Sequence, residues 1–340
     1  MRIILRADGN STIGFGHVYR LLALADILKD KFEIVFAINR PEHYLISVIK
    51  NYVHDLIELT THQENKLPAL RQKDEEIPFE LDEYITGNEI VVLDGYWFGV
   101  KYQKAVKHKG SKLVCIDDLA ENYFYADAII NHAPGMKASQ YKGETYTKYY
   151  LGLDYAMLRK DFFKPFNNSR QPDSLLISMG GADQYRITEN VLESAILSNS
   201  FKTIHLLISS AFSVEALERM NKITKNSSIK ILTYKNLAGK ELVELMDNCL
   251  FALVSASTVL LECYSRGITC FTGYYTNNQL NIYNGFVLEN RCLDLGDLTK
   301  LEPKSMGKKI TSLLEAQKVQ KSEKPLQSDR NIEHVFSLLC

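Results

Sequence analysis

The sequence lacks an excess of charge of either sign. Its 340 residues include 40 Lys and Arg against 41 Asp and Glu, which leaves a formal net charge of -1. This balance creates no global basic field, so we expect no nucleic-acid partner. Hydrophobic residues at 46% and charged residues at 24% are typical of a globular protein, and the length suffices for two domains.

Long hydrophobic runs are also missing. The most apolar stretches, such as EIVVLDGYWF at 89–98, are too short and too interrupted to span a bilayer. The first residues, MRIILRAD, lack the apolar core and the small-residue cleavage site of a signal peptide. We therefore expect a cytoplasmic protein without stable membrane insertion, present as a monomer or a weak dimer.

The six cysteines show no pattern that binds a metal or forms bridges. No CxxC pair occurs, no cysteine has a His-rich neighbour, and four lie in or beside apolar stretches. Free thiols in a reducing compartment explain them best. We expect no metal and no cofactor.

The sequence does contain short β-rich runs that alternate with amphipathic stretches, a pattern typical of parallel α/β layers. Strands are predicted at 2–7, 33–38, 89–94, 112–117 and 127–131, then at 174–179, 203–209, 229–233, 250–254, 268–272 and 291–295. Helices are predicted at 17–30, 186–198, 213–224, 239–247, 258–266, 277–289 and 304–317. The alternation lapses from 132 to 172, as an interdomain connection would.

These elements predict two doubly wound, Rossmann-like α/β domains that face a cleft, at 1–160 and 161–340. The second half also ends in a helix, near 329–339, with Ile332, Val335 and Phe336 on one side. That apolar face must be buried, and the first domain is one surface against which it can pack.

In parallel sheets, ligands bind beyond the carboxyl ends of the strands. Gly, Ser, Asn, Asp and Gln concentrate at five such ends of the predicted strands. The segments are RADGNSTIGFGH at 6–17, LDGYWFG at 93–99, SMGGAD at 178–183, VSASTVLLE at 254–262 and FTGYYTNNQ at 271–279. Together they predict a binding surface.

The first segment places a histidine at a glycine turn. Gly14 and Gly16 permit a tight turn and a close approach to a ligand, and the N–H groups that open the next helix favour an anion. His17 falls in the first turn of that helix, whose field disfavours imidazolium, so we expect a neutral ring that can accept a proton. The alternative is a structural histidine. No third glycine completes the dinucleotide fingerprint.

Asp94 and Tyr96 end a strongly apolar strand. We expect them to orient a water or a sugar hydroxyl near His17, although Asp94 in a turn can also cap backbone amides. Arg6 and Asp8 form an ion pair that braces the loop in one interpretation. In the other, Arg6 lies behind the residues that contact the ligand. The candidates for orienting His17 are Arg6, Asp8, Arg20 and Asp94.

In the second half, glycines and hydroxyls follow two strands. Gly180 and Gly181 leave room for a phosphate, unless they form a plain strand-to-helix turn. Ser255, Ser257 and Thr258 precede a helix whose first N–H groups can bind a diphosphate.

Two further groups in the second half suit a sugar. Glu262 is an acid in an apolar helix, for which ribose hydroxyls or a structural ion pair are suitable partners. Asn277, Asn278 and Gln279 open the next helix with the donors and acceptors that a sugar requires, and N-capping by Asn277 is the alternative.

Taken in order, the motifs RADGNSTIGFGHVYR, DGY, SMGGAD, SASTVLLE and NNQ resemble a known family. They look like the UDP-2,4-diacetamido-2,4,6-trideoxy-β-L-altropyranose hydrolases of pseudaminic acid biosynthesis, related to spore coat polysaccharide biosynthesis proteins. The resemblance runs from Arg6 to about Gln279, and the R-x-D…G-x-G-H-x-x-R cluster that ends at Arg20 is its most specific part. It implies a GT-B-like fold and metal-independent, inverting hydrolysis of a UDP-sugar.

By this resemblance His17 matches the catalytic base, and Tyr96 matches a tyrosine near the reacting sugar. The family's positions around the nucleotide and the sugar correspond in this sequence to Gly180, Gly181, Ser257, Glu262, Asn278 and Gln279. Leu261 departs from the family, because many members have a tryptophan there. Two other functions stay open: a GT-B glycosyltransferase, in which His17 deprotonates an acceptor hydroxyl, and a nucleotide-sugar binding module without turnover.

Overall fold

A computed structural model describes residues 1–10, 14–60, 79–166, 170–180, 186–209, 212–235, 237, 239–316 and 319–340. The chain divides into two compact units. Unit 1 comprises Met1–Lys160 and Gln327–Cys340, and unit 2 comprises Asp161–Leu326. The C-terminal segment, which we grouped with 161–340 from the sequence, thus lies in unit 1. Within the described residues, no helix combines the length and the apolar character needed to cross a membrane.

Unit 1 contains a large parallel sheet. Its strands are β1 (Arg2–Arg6), β2 (Glu33–Asn39), β3 (Asp55–Leu59), β4 (Ile90–Asp94), β5 (Lys112–Ile116), β7 (Ala128–Asn131) and β9 (Lys148–Leu151), and β6 (Tyr123–Phe124) pairs separately with β8 (Lys142–Gly143). The helices are α1 (Gly16–Leu28), α2 (His43–Lys50), α3 (Val100–His108) and the C-terminal helix (Ser328–Ser337). The strand order is β3-β2-β1-β4-β5-β7-β9. Central strands such as β4 are apolar along nearly their whole length because helices cover both faces.

Unit 2 repeats this design. Its strands are β10 (Gln171–Ser178), β11 (Thr203–Ile208), β12 (Lys230–Lys235), β13 (Cys249–Ser255), β14 (Thr269–Tyr274) and β15 (Leu293–Asp297), in the parallel order β12-β11-β10-β13-β14-β15. Its helices are α4 (Ile187–Ser198), α5 (Val214–Lys225), α6 (Gly239–Asn248), α7 (Thr258–Ser265), α8 (Leu280–Leu288) and α9 (Pro303–Ala316). The prediction of two doubly wound α/β domains is confirmed.

The strand–helix alternation lapses between β7 and β10, as predicted, but the sequence did not reveal β9, which forms an edge of the unit 1 sheet. Its sequence KYYL is short, and none of its four residues is fully buried. An edge strand with one neighbour needs no continuous apolar run, so its sequence carries little of the signal that marks a central strand.

The C-terminal helix packs in unit 1 through the predicted apolar face. Ile332, Val335 and Phe336 are fully buried. At the start of the helix, the Ser328 hydroxyl donates a hydrogen bond to the Ala156 carbonyl at 2.6 Å. These contacts explain why the segment belongs to unit 1 although it follows unit 2 in the chain.

The strand orders locate the ligand-binding edge of each unit. In unit 1 the order reverses between β1 and β4, and in unit 2 it reverses between β10 and β13. Connections leave to opposite faces at such a switch point, so a crevice opens beyond the carboxyl ends of these two strands. Segments 6–17 and 93–99 follow β1 and β4, and segments 178–183 and 254–262 follow β10 and β13.

Candidate active site

The switch point of unit 1 brings His17 and Asp94 together. His17 is the second residue of α1, and Asp94 is the last residue of β4. His17 Nδ1 lies 2.7 Å from Asp94 Oδ1. Since an ionised carboxylate only accepts hydrogen bonds, the proton of a neutral ring is on Nδ1 and the lone pair is on Nε2. This pair has the arrangement of a general base held by a carboxylate.

Arg20 occupies the other side of the same carboxylate. It lies one turn along α1 from His17, and its Nε and Nη2 donate to the two oxygens of Asp94 at 2.7 and 2.6 Å. Burial by itself raises the pKa of Asp94, which is fully buried, but the charge of Arg20 and the hydrogen bonds from Arg20 and His17 outweigh burial and lower that pKa to about 2. Asp94 therefore stays ionised throughout the physiological range.

Arg20 also reaches a second carboxylate. Its Nη1 donates to Asp118 Oδ2 at 3.2 Å, and the hydroxyl of Tyr96 donates to the same oxygen at 3.0 Å. The ring of Tyr96 meets the ring of His17 edge to face, with centroids 4.9 Å apart. Arg20 therefore links two carboxylates, of which one contacts His17 and the other contacts Tyr96. We call these five residues the Arg20 network.

Sequence reasoning missed Asp118. It follows β5 in the segment CIDDLA and is 6% exposed. The available signal was its place after an apolar strand, because β5 lies next to β4 in the sheet. A pair of aspartates at a strand end is an ordinary turn sequence, however, and only the strand order brings it to Arg20.

His132 is a second residue that the sequence did not reveal. It directly follows β7, is 2% exposed, and neither ring nitrogen has a hydrogen-bond partner among the described residues. Burial and the charge of Arg20 lower the pKa of His132 to about 3, so the ring is neutral. A neutral ring keeps one donor and one acceptor at the same sheet edge as the Arg20 network.

The side-chain carboxyl group of Asp117 binds its proton more tightly than an ordinary carboxyl group does. It is 8% exposed and accepts a hydrogen bond from the Ala120 N–H at 2.7 Å. Burial raises the pKa of Asp117 from its ordinary value of 3.8 to about 6. The folded state therefore binds more protons than the unfolded state between these values, and the free energy of unfolding falls as the pH rises through this window.

Replacing Asp117 with asparagine tests this consequence. We expect the variant to lose the fall in stability between about pH 4 and pH 6, and to exceed the wild type above pH 6 by up to about 3 kcal/mol, at roughly 1.4 kcal/mol per tenfold change in proton affinity. Urea unfolding of both proteins from pH 4 to pH 8 measures the difference. Asp154→Asn, at an exposed position, is the control. Parallel pH profiles for Asp117→Asn and the wild type would contradict the expectation.

Arg6 braces the unit 1 loop. Its guanidinium is 1% exposed and contacts both Asp8 and Glu80, with Nη2 2.9 Å from Asp8 Oδ2 and 2.7 Å from Glu80 Oε1. It also lies over the ring of Phe98. Of the two interpretations of Arg6 from the sequence, this geometry supports the one in which its ion pair holds the loop.

The turn that leads into α1 contains two glycines, Gly14 and Gly16. Gly14 adopts a left-handed φ of +82°, which strains other residues, and its N–H donates to the Asn10 carbonyl at 2.9 Å. A Cβ at Gly14 or at Gly16 would meet no described atom within 4 Å.

In unit 2, the predicted polar residues meet at its switch point. Ser255 Oγ lies 3.3 Å from the Met179 carbonyl and 3.0 Å from Ser257 Oγ. Gly180 has a left-handed φ of +90°, and Gly181 lies outside the described residues. Ser257 precedes α7, and its side chain makes no capping bond to the helix.

The remaining predicted residues of unit 2 lie in α7 and before α8. Thr258 opens α7, and Glu262 is partly buried in the same helix. Asn278 and Gln279 form a short 3₁₀ turn, in which Gln279 Oε1 accepts from the Tyr275 N–H at 2.9 Å and Asn278 Oδ1 accepts from Thr276 at 2.6 Å. Both amide oxygens therefore stabilise the turn itself, a use that the sequence analysis did not foresee.

Comparison with known sequences finds relatives of moderate identity. The chain is 28% identical over 268 residues to the UDP-2,4-diacetamido-2,4,6-trideoxy-beta-L-altropyranose hydrolase of Campylobacter jejuni. The aligned region covers 77% of this chain and 87% of that protein. It is 23% identical over 353 aligned residues to the spore coat polysaccharide biosynthesis protein SpsG of Bacillus subtilis, across 100% and 98% of the two chains. These matches support this family or a close relative of it.

A third relative is longer than this chain. Identity to the uncharacterized protein MJ1062 of Methanocaldococcus jannaschii is 26% over 302 residues, which is 84% of this chain and 58% of that protein. The chain thus spans little more than half the length of this relative. No protein-family model matches the chain.

Solved structures with the same architecture are glycosyltransferases and related enzymes. MurG of Acinetobacter baumannii superposes with a TM-score of 0.61 at 11% identity, across 99% of both chains. The spinosyn rhamnosyltransferase SpnG, complexed with thymidine diphosphate, gives 0.60 at 11% identity, across 99% of this chain and 96% of that one. The fold is therefore that of the GT-B enzymes, with two Rossmann-like domains.

Proposed function

We propose that the protein is a hydrolase that releases UDP from a UDP-linked 2,4-diacetamido-2,4,6-trideoxy sugar, in the biosynthesis of pseudaminic acid or a related surface polysaccharide. The observation that carries the proposal is the His17–Asp94 pair at the switch point of unit 1, with Nδ1 2.7 Å from the carboxylate. The relative from Campylobacter jejuni bears the name of this hydrolase. The sequence motifs around His17, Arg20 and Tyr96 support the same assignment.

In this reaction His17 removes a proton from the attacking water. Its Nε2 lone pair accepts the proton while Asp94 stabilises the imidazolium that forms. The water oxygen bonds to the anomeric carbon, the carbon–oxygen bond to UDP breaks, and its electron pair leaves with the diphosphate. Attack on the side opposite to the leaving group inverts the anomeric configuration.

No second carboxyl group is needed as an acid. Ordinary glycosidases protonate an alkoxide leaving group, whereas a diphosphate departs as a stable anion. Unit 2 would bind the nucleotide: Gly180, Ser255, Ser257 and the first N–H groups of α7 supply a close backbone approach and donors for phosphate oxygens. This assignment involves no metal.

The GT-B fold favours a second candidate, a glycosyltransferase that uses a UDP-sugar donor. The same His17–Asp94 pair would then deprotonate an acceptor hydroxyl. The two candidates differ in one requirement, because a hydrolase needs only water as its nucleophile.

Release of UDP by the wild-type protein, with the diacetamido substrate and without any acceptor alcohol, separates them. We expect multiple turnovers of UDP release and an equal amount of free sugar, measured by ion-exchange chromatography of the products. Turnover that begins only when an acceptor is added would support the transferase instead. Binding of UDP without turnover under either condition would indicate a nucleotide-sugar binding module.

A further inference from the structure

The direction of one hydrogen bond determines what Tyr96 can offer to a substrate. Asp118 Oδ2 accepts from the Arg20 guanidinium at 3.2 Å, so this carboxylate acts as an acceptor. The only hydroxyl proton of Tyr96 then points to Asp118 Oδ2 at 3.0 Å. A phenol has one donor and two acceptor lone pairs, so the group that Tyr96 can present elsewhere is an acceptor.

His17, whose ring contacts that of Tyr96, also presents an acceptor. Its Nδ1 proton points to Asp94, which leaves the Nε2 lone pair as the group that meets the nucleophile. The rings of His17 and Tyr96 are in edge-to-face contact, and Tyr96 is 40% exposed. The Arg20 network thus turns two neighbouring side chains into two acceptors, each by committing its proton to a buried carboxylate.

We propose that Asp118 is a positioning residue that makes Tyr96 an acceptor, and that the protein thereby selects water over an alcohol as its nucleophile. This inference rests on the proposed hydrolase function. Water carries two protons: it donates one to His17 Nε2 and the other to Tyr96 Oη, and its remaining lone pair faces the anomeric carbon. On attack the proton passes to His17, and the hydrogen bond to Tyr96 is retained.

An alcohol has a single proton, which His17 requires. Its carbon substituent would then lie against Tyr96 Oη and form no hydrogen bond there, so an alcohol makes one hydrogen bond fewer than water does. Selection by two acceptors therefore acts on the nucleophile, and it is independent of how tightly the UDP portion binds. This distinction gives the inference a readout that a purely structural role for Asp118 would not change.

The experiment measures how the glycosyl group divides between two nucleophiles. Wild type, Tyr96→Phe and Asp118→Leu react with the diacetamido UDP-sugar in water that contains a fixed fraction of methanol, and NMR quantifies free sugar and methyl glycoside. Tyr123→Phe is the matched control, because Tyr123 is also 40% exposed and donates to a carboxylate, that of Glu144, at 3.3 Å. Because both products come from one enzyme in one tube, their ratio does not depend on the folded fraction.

We expect the ratio of methyl glycoside to free sugar to rise about threefold to tenfold in Tyr96→Phe, the effect of losing one net hydrogen bond. Asp118→Leu, which has no acceptor for the Tyr96 proton, should shift the ratio in the same direction, and the double variant should shift it no further than Tyr96→Phe alone. Tyr123→Phe should keep the wild-type ratio.

The outcomes are separable from those of the proposed function. If the wild type releases UDP but Tyr96→Phe keeps the wild-type ratio, the water-selection role is overturned while the hydrolase assignment stands. Should Asp118→Leu fail to fold, Asp118→Ala takes its place in the same assay, and a wild-type ratio in that variant overturns the role of Asp118. If the wild type releases no UDP without an acceptor, the hydrolase assignment fails and this inference fails with it.

Discussion

Replacing His17 with alanine is expected to lower kcat for UDP release by about 10²–10⁴-fold, the usual contribution of a general base. The alanine variant removes the lone pair that we propose accepts the proton of water, and it leaves the residues of unit 2 that we propose bind the nucleotide unchanged. KM should therefore change much less than kcat. Steady-state assays of UDP release measure both constants.

Asp94→Asn tests the same mechanism from the other partner. The amide N–H₂ would donate to His17 Nδ1, which moves the ring proton to Nε2 and leaves no base toward the water. We expect a loss of kcat that is comparable to that of His17→Ala. His43→Ala, an exposed histidine at the start of α2, is the control and should retain full activity. A His17→Ala enzyme that keeps wild-type kcat would exclude His17 as the base.

Replacing Arg20 with methionine should have the largest effect on stability. Arg20 is 7% exposed and bonds Asp94 through both carboxylate oxygens. Methionine fills similar space but leaves Asp94, which is fully buried, without its cation. Breaking a buried ion pair by removing one partner costs about 3–5 kcal/mol, because the remaining charge is uncompensated.

Urea unfolding at neutral pH measures this loss. Arg2→Met is the matched control, since the side chains of Arg2 and Glu33 are 32% and 61% exposed and lie 4.0 Å apart. An exposed pair of this kind contributes about 0–1 kcal/mol. Equal unfolding free energies for the two variants would show that the Arg20 network contributes little to stability.

The variant has a second consequence, in the acid range. The Arg20 charge is what most strongly lowers the pKa of Asp94 against burial. In the wild type, the stability from this carboxylate is present above its ordinary pKa of 3.8 and is lost as the pH falls toward about 2. In Arg20→Met, burial acts without the Arg20 charge, so the pKa of Asp94 should rise. The loss of stability below pH 3.8 should then shrink, and it should turn into a gain once that pKa exceeds 3.8.

Much of this site could be predicted from local sequence. His17, Asp94 and Tyr96 stand at the ends of apolar strands or at the start of a helix, and a chain of this pattern places such positions at one sheet edge. The partners of Arg6 and Arg20 could not be predicted in the same way. Arg6 pairs with Glu80, 74 residues away, and Arg20 pairs with Asp118, 98 residues away.

The sequence by itself determined the alternation of strands and helices. Burial of one helix face leaves a periodic pattern of apolar residues, burial of a whole strand leaves a short apolar run, and both are visible in the local sequence. It also determined which residue types stand at the strand ends. Only the tertiary structure decided which of those ends are neighbours, since the order β1-β4-β5-β7 is set by packing of the whole sheet. That order gives Arg20 its two carboxylates. It also places His132, whose ring has no hydrogen-bond partner in the described part of the chain, at the same edge.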